Sequence, residues 1–383
     1  MTLRLSYLLL SLSLIAGGLA GCTPAAISSP TLTPAPPTVD STSTPAPTFT
    51  PAATETTAPT PVLTPPDLPA IFQSKYFNPL DTPHTYLADT CQYLRNRWDP
   101  NKSAPGTVVM PIMFHSITKG AVTVNDQITM DQFNKLISDL KEQGFEAITT
   151  EQLANFMESN AKIPKRSAYL VVDDRKQRAY FDNTFKQYHD QWGWKVVNAW
   201  ISAADTTADL WAQNAQLESE GWVDHQAHGV VHNIPMSDST STNYDTGELK
   251  GSIDAMQAKF NKTPIAIIWP GGGFGQKPVQ IARQLGYRLG FTINPRGPLM
   301  YNWVPLSDKP DTMRPSYLPE GSINDPLMVL PRFWDTDADS HIDAVRLTGK
   351  EAAAYAEQNK STELAYYNAV CAPTLGPIPS ATP

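Results

Sequence analysis

The chain is 383 residues long and carries 37 acidic against 29 basic side chains, a formal net charge of −8. That balance argues against nucleic acid and anionic lipid as partners, since both repel an acidic surface. From about residue 67 onward the chain is long enough for one core of around 250 residues plus terminal extensions, and no internal repeat is visible.

Residues 1–21 read as an export signal. Arg4 gives a positive start, and LSYLLLSLSLIAGGLA is too short, and too rich in small residues at its end, for a stable membrane span. It closes on LAGC at Cys22, which resembles a bacterial lipobox, where the cysteine is lipidated and becomes the mature N-terminus. The bland reading is an ordinary secretory signal with an incidental cysteine. The expectation is an exported protein, lipid-anchored at the outer face of the cell membrane or cell envelope without a spanning helix.

Residues 22–66 form a Thr/Pro-rich linker; from 23 to 66 it has no Lys or Arg. Such composition cannot bury a core, so the linker is expected to be disordered and extended, reaching roughly 130 Å. Its hydroxyls are glycosylation candidates. An N-terminal extension (67–104), a main domain (105–348) and a C-terminal helix and tail (349–383) follow. Cys91 and Cys371 flank the main domain; they either bridge its two ends or stay free thiols.

Along the main domain, TVVMPIMFHSI reads as a buried strand ending at His115. MDQFNKLISDLKEQGFEAIT reads as an amphipathic helix, with Phe133, Leu136, Ile137 and Leu140 on one face and Gly144 as its stop. TTEQLANFMES starts another helix, with Thr149 and Gln152 at capping-box spacing. YLVV is a strand, AYFDNTFKQYHDQW one helix and KVVNAWIS a strand. LKGSIDAMQAKF is then a helix, PIAIIWP a strand, KPVQIARQLG a helix and YRLGFTI a strand. This alternation predicts parallel strands with helical crossovers, an α/β sheet or barrel whose chemistry sits at the C-terminal strand ends. His115, Asp173, Asp174 and Pro270 all fall at such ends.

In SAYLVVDDRKQ two adjacent carboxylates, Asp173 and Asp174, close an apolar run. Two nearby ionised carboxylates repel, so either one is protonated or a cation sits between them; a solvated turn is the plain alternative. Downstream, in WVDHQAHGVVHN, His228 and His232 are four residues apart, a spacing that lets both imidazoles face one cation from a single helical turn. Two His and a carboxylate make a common shell for a catalytic divalent metal.

The order of VVDDR (171–175), HGVVH (228–232) and WPGGG (269–273) resembles the polysaccharide deacetylase (NodB-like) family, carbohydrate esterase family four. Its motifs are T-F-D-D-G, H-[ST]-x-x-H and a Pro-containing loop. The resemblance covers about 108–333 and is closest to the extracellular poly-N-acetylglucosamine deacetylases. It implies that Asp173 is the general base, that Asp174, His228 and His232 hold the metal, and that the Gly271 N–H supplies the oxyanion hole. It also implies that His115, preceded by Phe114 where those relatives have Tyr, protonates the leaving amine. The family's base-orienting Arg would fall at Ile268, and Arg332 in LPRF is its substitute. Arg175 and Gly229 stand where the family has Gly and Ser or Thr, and Arg175 either lines the substrate groove or marks a decayed site.

Trp269 and Phe274, beside the loop proline, are read as sugar-stacking residues, whereas Trp192, Trp194 and Trp200 are read as core. His341 is an alternative acid, read mainly as a loop residue. PGGGFG lacks a phosphate-binding pattern and reads as a tight turn. The expectation is thus a deformed (β/α) barrel of the polysaccharide deacetylase type, preceded by a disordered tether and monomeric. It would hydrolyse N-acetyl, or less readily O-acetyl, groups of a cell-envelope or extracellular glycan. Zinc is the default metal, with cobalt, nickel or manganese also accepted by such donors. The rival is a glycan-binding lipoprotein that keeps the fold without turnover.

Overall fold

The computed structural model describes residues 64–76, 80–310, 312 and 318–381. The signal, Cys22 and the linker up to residue 63 lie outside the described residues. Among those described, no helix is long and apolar enough to cross a membrane.

Seven strands follow the short apolar runs of the sequence: β1 (Val108–Phe114), β2 (Arg166–Asp173), β3 (Val196–Trp200), β4 (Val223–Ala227), β5 (Ala266–Ile268), β6 (Leu289–Phe291) and β7 (Phe333–Trp334). They pair in parallel in the order β6-β5-β4-β3-β2-β1-β7, with Glu146–Ala147 as a short extra strand on β2. The two edges are joined by one segment. Leu330 bridges Phe291, its amide donating to the Gly290 carbonyl at 2.8 Å, and three residues later the same chain becomes β7 against β1. The sheet thereby closes into a deformed barrel, as expected from the alternation of elements.

Side chains alternate across the pleat. Val108, Met110, Ile112 and Phe114 of β1, with Ala168, Leu170 and Val172 of β2, pack outward on α1 (Met130–Glu142) through Phe133, Leu136, Ile137 and Leu140. Val109, Tyr169 and Val171 belong to the other cluster, and Tyr169 stacks on Phe291 of β6 at 5.1 Å. Since β6 lies four strands away from β2 in the sheet, that side is the barrel interior. The same parity aims Asp173 inward.

The capping box at Thr149 and Gln152 opens α2 (Thr150–Ser159), and a second, Thr129 with Gln132, opens α1. The stretch read as one helix after β2 is two, α3 (Arg178–Asn183) and α4 (Lys186–Trp192). Thr184 leaves helical geometry, its hydroxyl donates to the Tyr180 carbonyl at 2.6 Å, and the bend buries Phe181 and Phe185 together. Then come α5 (Ala208–Glu220), α6 (Thr242–Phe260), α7 (Gln276–Gln284) and α8 (Ala338–Tyr366).

Both chain ends brace the barrel. Asp81–His84 pairs antiparallel with Val304–Ser307, and Cys91 is disulfide-bonded to Cys371 across 280 residues. Beside that bridge Arg97 and Trp98 both donate to Glu363, at 2.9 and 2.7 Å. The 348/349 boundary read from the sequence falls inside α8, a single continuous helix. Residues 67–104 and 349–381 therefore pack as parts of one compact unit, Pro61–Pro383.

Candidate active site

Asp173 is the last residue of β2 and is buried. Arg332 reaches it from the segment that closes the barrel. Its Nε donates to the Thr292 carbonyl at 2.8 Å, Nη1 to Asp173 Oδ1 at 2.6 Å and Nη2 to Oδ2 at 3.1 Å. Burial pushes the Asp173 carboxyl up, but Arg332, His228 and His115 together hold it well below the usual carboxylate range. His115, one residue past β1, places Nε2 3.5 Å from Asp173 Oδ2 and stacks its ring on Trp334 at 5.3 Å.

One residue later the backbone turns. Asp174 has φ +71°, a left-handed conformation, and the buried Asn198 of β3 holds the bend by donating to the carbonyls of Val172 and Asp174 at 3.0 and 2.9 Å. This turn separates the two acids. Asp173 faces the interior, while the half-exposed Asp174 carboxylate lies 3.9 Å from His228 Nε2 and 3.9 Å from Lys176 Nζ.

His228 follows β4. Its Nδ1–H donates to the Ile268 carbonyl at 2.7 Å, which leaves Nε2 as the lone-pair nitrogen, 2.9 Å from Nε2 of His232. Burial, with the neighbouring imidazole adding to it, pushes His228 down to about 4, against the pull of Asp173 and Asp174. One donor atom each from Asp174, His228 and His232 lies within 4.8 Å of the others. Two ring nitrogens this close need a proton or a cation between them, and two imidazoles with one carboxylate suit zinc. These residues fit a divalent metal.

The two histidines do not share a helical turn, as the four-residue spacing had suggested. Residues 228–232 form an irregular turn with Gly229 at φ +78° and His232 at φ +56°, and the amides of Val230, Val231 and His232 bind Glu248 of α6. A Cβ on Gly229 would crowd Glu248 Oε2, and its positive φ strains any other residue, so glycine suits this turn as it is built here. Gly271 lies in the short 3-10 turn Pro270–Gly272 after β5, with φ +57°.

Two expected substrate contacts are corrected. Trp269 is fully buried with its indole N–H on the Met328 carbonyl at 2.7 Å, and Phe274 is also buried, so neither offers a face to a sugar. Arg175, part-exposed, donates to Asp205 Oδ1 at 2.6 Å and Thr206 Oγ1 at 3.0 Å, while Lys176 Nζ lies 3.9 Å from the Asp174 carboxylate. His341 lies on α8 beside Asp337, at 3.7 Å.

Asp335, Asn198 and Glu248 escaped the sequence reading, since each acts through a partner distant in the chain. Asp335 follows β7, and its amide donates to the Met113 carbonyl at 3.1 Å, which sets it beside the His115 end of β1. Its two carboxyl oxygens, His115 Nδ1 and the Tyr180 hydroxyl are buried without a hydrogen-bond partner among the described residues. Burial pushes Asp335 up to about 8; the nearby amides of Thr336 and His115 offset this only in part. Because the folded value lies above the unfolded one, stability from this group is full below about pH 4 and is lost as pH rises towards 8. Asp335→Asn, which does not titrate, should therefore gain on the native protein by up to about 1.4 kcal/mol per pH unit over that window. Thermal unfolding at pH 5 and pH 8 checks this; an equal difference at both would contradict it.

Fold and site together define a parallel barrel carrying a carboxylate–bis-imidazole cluster at the C-terminal ends of its strands. The polysaccharide deacetylase family model matches residues 160–290, a stretch that holds Asp173, Asp174, His228, His232 and the Pro270–Gly272 turn. That stretch is thus similar to a polysaccharide deacetylase domain, in agreement with the motifs. No curated protein matches the chain. Among solved structures the chain is similar to the Streptococcus pyogenes deacetylase PplD in complex with acetate, at 21% identity and TM-score 0.49, covering 62% of this chain and 98% of that one. It is similar to BC0361, a polysaccharide deacetylase from Bacillus cereus, at 18% identity and TM-score 0.48, covering 62% and 69%. It is also similar to IcaB from Ammonifex degensii, at 12% identity and TM-score 0.46, covering 64% and 97%.

Proposed function

We propose that the protein is a metal-dependent deacetylase that removes N-acetyl groups from a cell-envelope or extracellular glycan. The observation that carries this reading is the separation of the paired acids: Asp173 inward on Arg332 and near His115, Asp174 outward toward His228 and His232. A divalent metal held by Asp174, His228 and His232, zinc before cobalt, nickel or manganese, supplies Lewis acidity toward a carbonyl and toward water. Asp173, kept ionised by Arg332, takes the proton of the attacking water. His115 gives a proton to the departing amine, and the Gly271 N–H receives the charge that develops on the acetyl oxygen. The lipobox-like LAGC supports a lipid anchor at Cys22 at the outer face of the cell membrane or envelope, with the Thr/Pro-rich linker carrying the barrel outward.

The test is amine release from N-acetylglucosamine oligomers in zinc, in cobalt and in chelator. Release that needs metal supports the reading. Glycan binding without release would favour the non-catalytic lipoprotein, with Arg175 as its mark.

A further inference from the structure

The turn that carries both histidines is built around one carboxylate. Glu248, on α6, is 2% exposed and accepts from Val230 N at 2.9 Å and His232 N at 3.2 Å through Oε2, and from Val231 N at 2.9 Å through Oε1. Every backbone amide from Val230 to His232 thus ends on the same side chain. None of the ion pairs among the described residues includes Glu248, so these three peptide dipoles are its compensation for burial. One turn further along α6, Gly251 makes room for the turn's apolar side: a Cβ there would stand 2.8 Å from Val230 Cγ2. Nearer the start of the helix, the Tyr244 hydroxyl donates to the Ile234 carbonyl at 2.7 Å, just past the second histidine. The helix therefore grips the turn at three places.

We propose that Glu248 is a positioning residue for the metal: through α6 it sets the separation of His228 and His232 before any ion arrives. This rests on reading Asp174, His228 and His232 as metal ligands. Left to itself, a five-residue turn with two left-handed residues samples many conformations, and a metal would have to order it on binding. The carboxylate removes that ordering step, and it also adds a negative charge behind a donor set that includes only one carboxylate, Asp174.

The experiment is zinc affinity of the full chain, by competition with a chromophoric chelator well below the melting temperature, alongside thermal unfolding of the metal-free protein. Glu248→Gln keeps the size but presents an amide N–H₂ to donors, and it is expected to weaken zinc about 10- to 100-fold. His228→Ala is expected to abolish binding. Native zinc affinity in a Glu248→Gln protein that melts early would make Glu248 merely structural and overturn the proposal while leaving the ligand assignment intact. A native protein that binds no zinc would overturn both. If Glu248→Gln does not fold, Gly251→Ala decides. It displaces Val230 at a helical position where Ala is otherwise favoured by about 0.5–1 kcal/mol. A zinc deficit without lost stability supports the proposal, and unchanged affinity overturns it.

Discussion

Asp173→Asn is expected to lower the deacetylation rate by about 10³-fold while leaving zinc binding within a few-fold of native. Asparagine matches the carboxylate in shape and can still accept from Arg332, but it cannot take a proton from water. The metal side of the site is insulated from the change, because the bend at Asp174 and the Asn198 hydrogen bonds that hold it involve backbone carbonyls. Rate and zinc stoichiometry measured on one preparation check both halves. A variant that keeps activity within tenfold would remove Asp173 from the role of base. One that loses zinc as well would show that the two acids share a single job.

Arg332→Met should be the most destabilising change in the barrel mouth. It strands a buried carboxylate and removes the guanidinium's hydrogen bond to the Thr292 carbonyl, and losing one partner of a buried pair costs about 3–5 kcal/mol. The pH dependence identifies the cause. In the native protein the Asp173 pKa lies below its unfolded value, so its contribution is full above about pH 4 and fades only as pH falls further. Without the guanidinium, burial, already the largest single influence, is opposed only by His228 and His115, so the pKa rises and the stability that Asp173 contributes at neutral pH is cut back. The gap between native and variant should be widest at neutral pH and narrow steadily as the pH is lowered through the acid range. Denaturant unfolding in chelator, which removes any contribution from bound metal, measures it. A gap that does not change with pH would assign the loss to packing alone.

The strand ends were legible because buried parallel strands read as short apolar runs, and the polar residue that ends each run is placed at the barrel mouth. That is how His115, Asp173 and Asp174 could be picked out, and capping-box chemistry marked the start of α2 just as directly. What failed was geometry set by distant partners. A four-residue spacing is compatible with a helix, yet Gly229 and Glu248 bend 228–232 into a turn. Trp269 sits next to the loop proline in sequence, but Met328 draws its indole inward. The break at Thr184 has no Gly or Pro to announce it. Arg332 could be named only by its place in a motif. Its function depends on the bridge from Leu330 to Phe291, a pairing of two residues that carries no periodic signal.

Activity against zinc equivalents is the most direct measurement of the central claim. The metal-free full chain would be titrated with zinc while amine release from N-acetylglucosamine oligomers is followed, with His228→Ala in parallel. Release should climb linearly to one equivalent and then level off, and the variant should stay at the chelator baseline. Release already complete in chelator, or equal in His228→Ala, would contradict a metal-dependent deacetylase built on Asp174, His228 and His232.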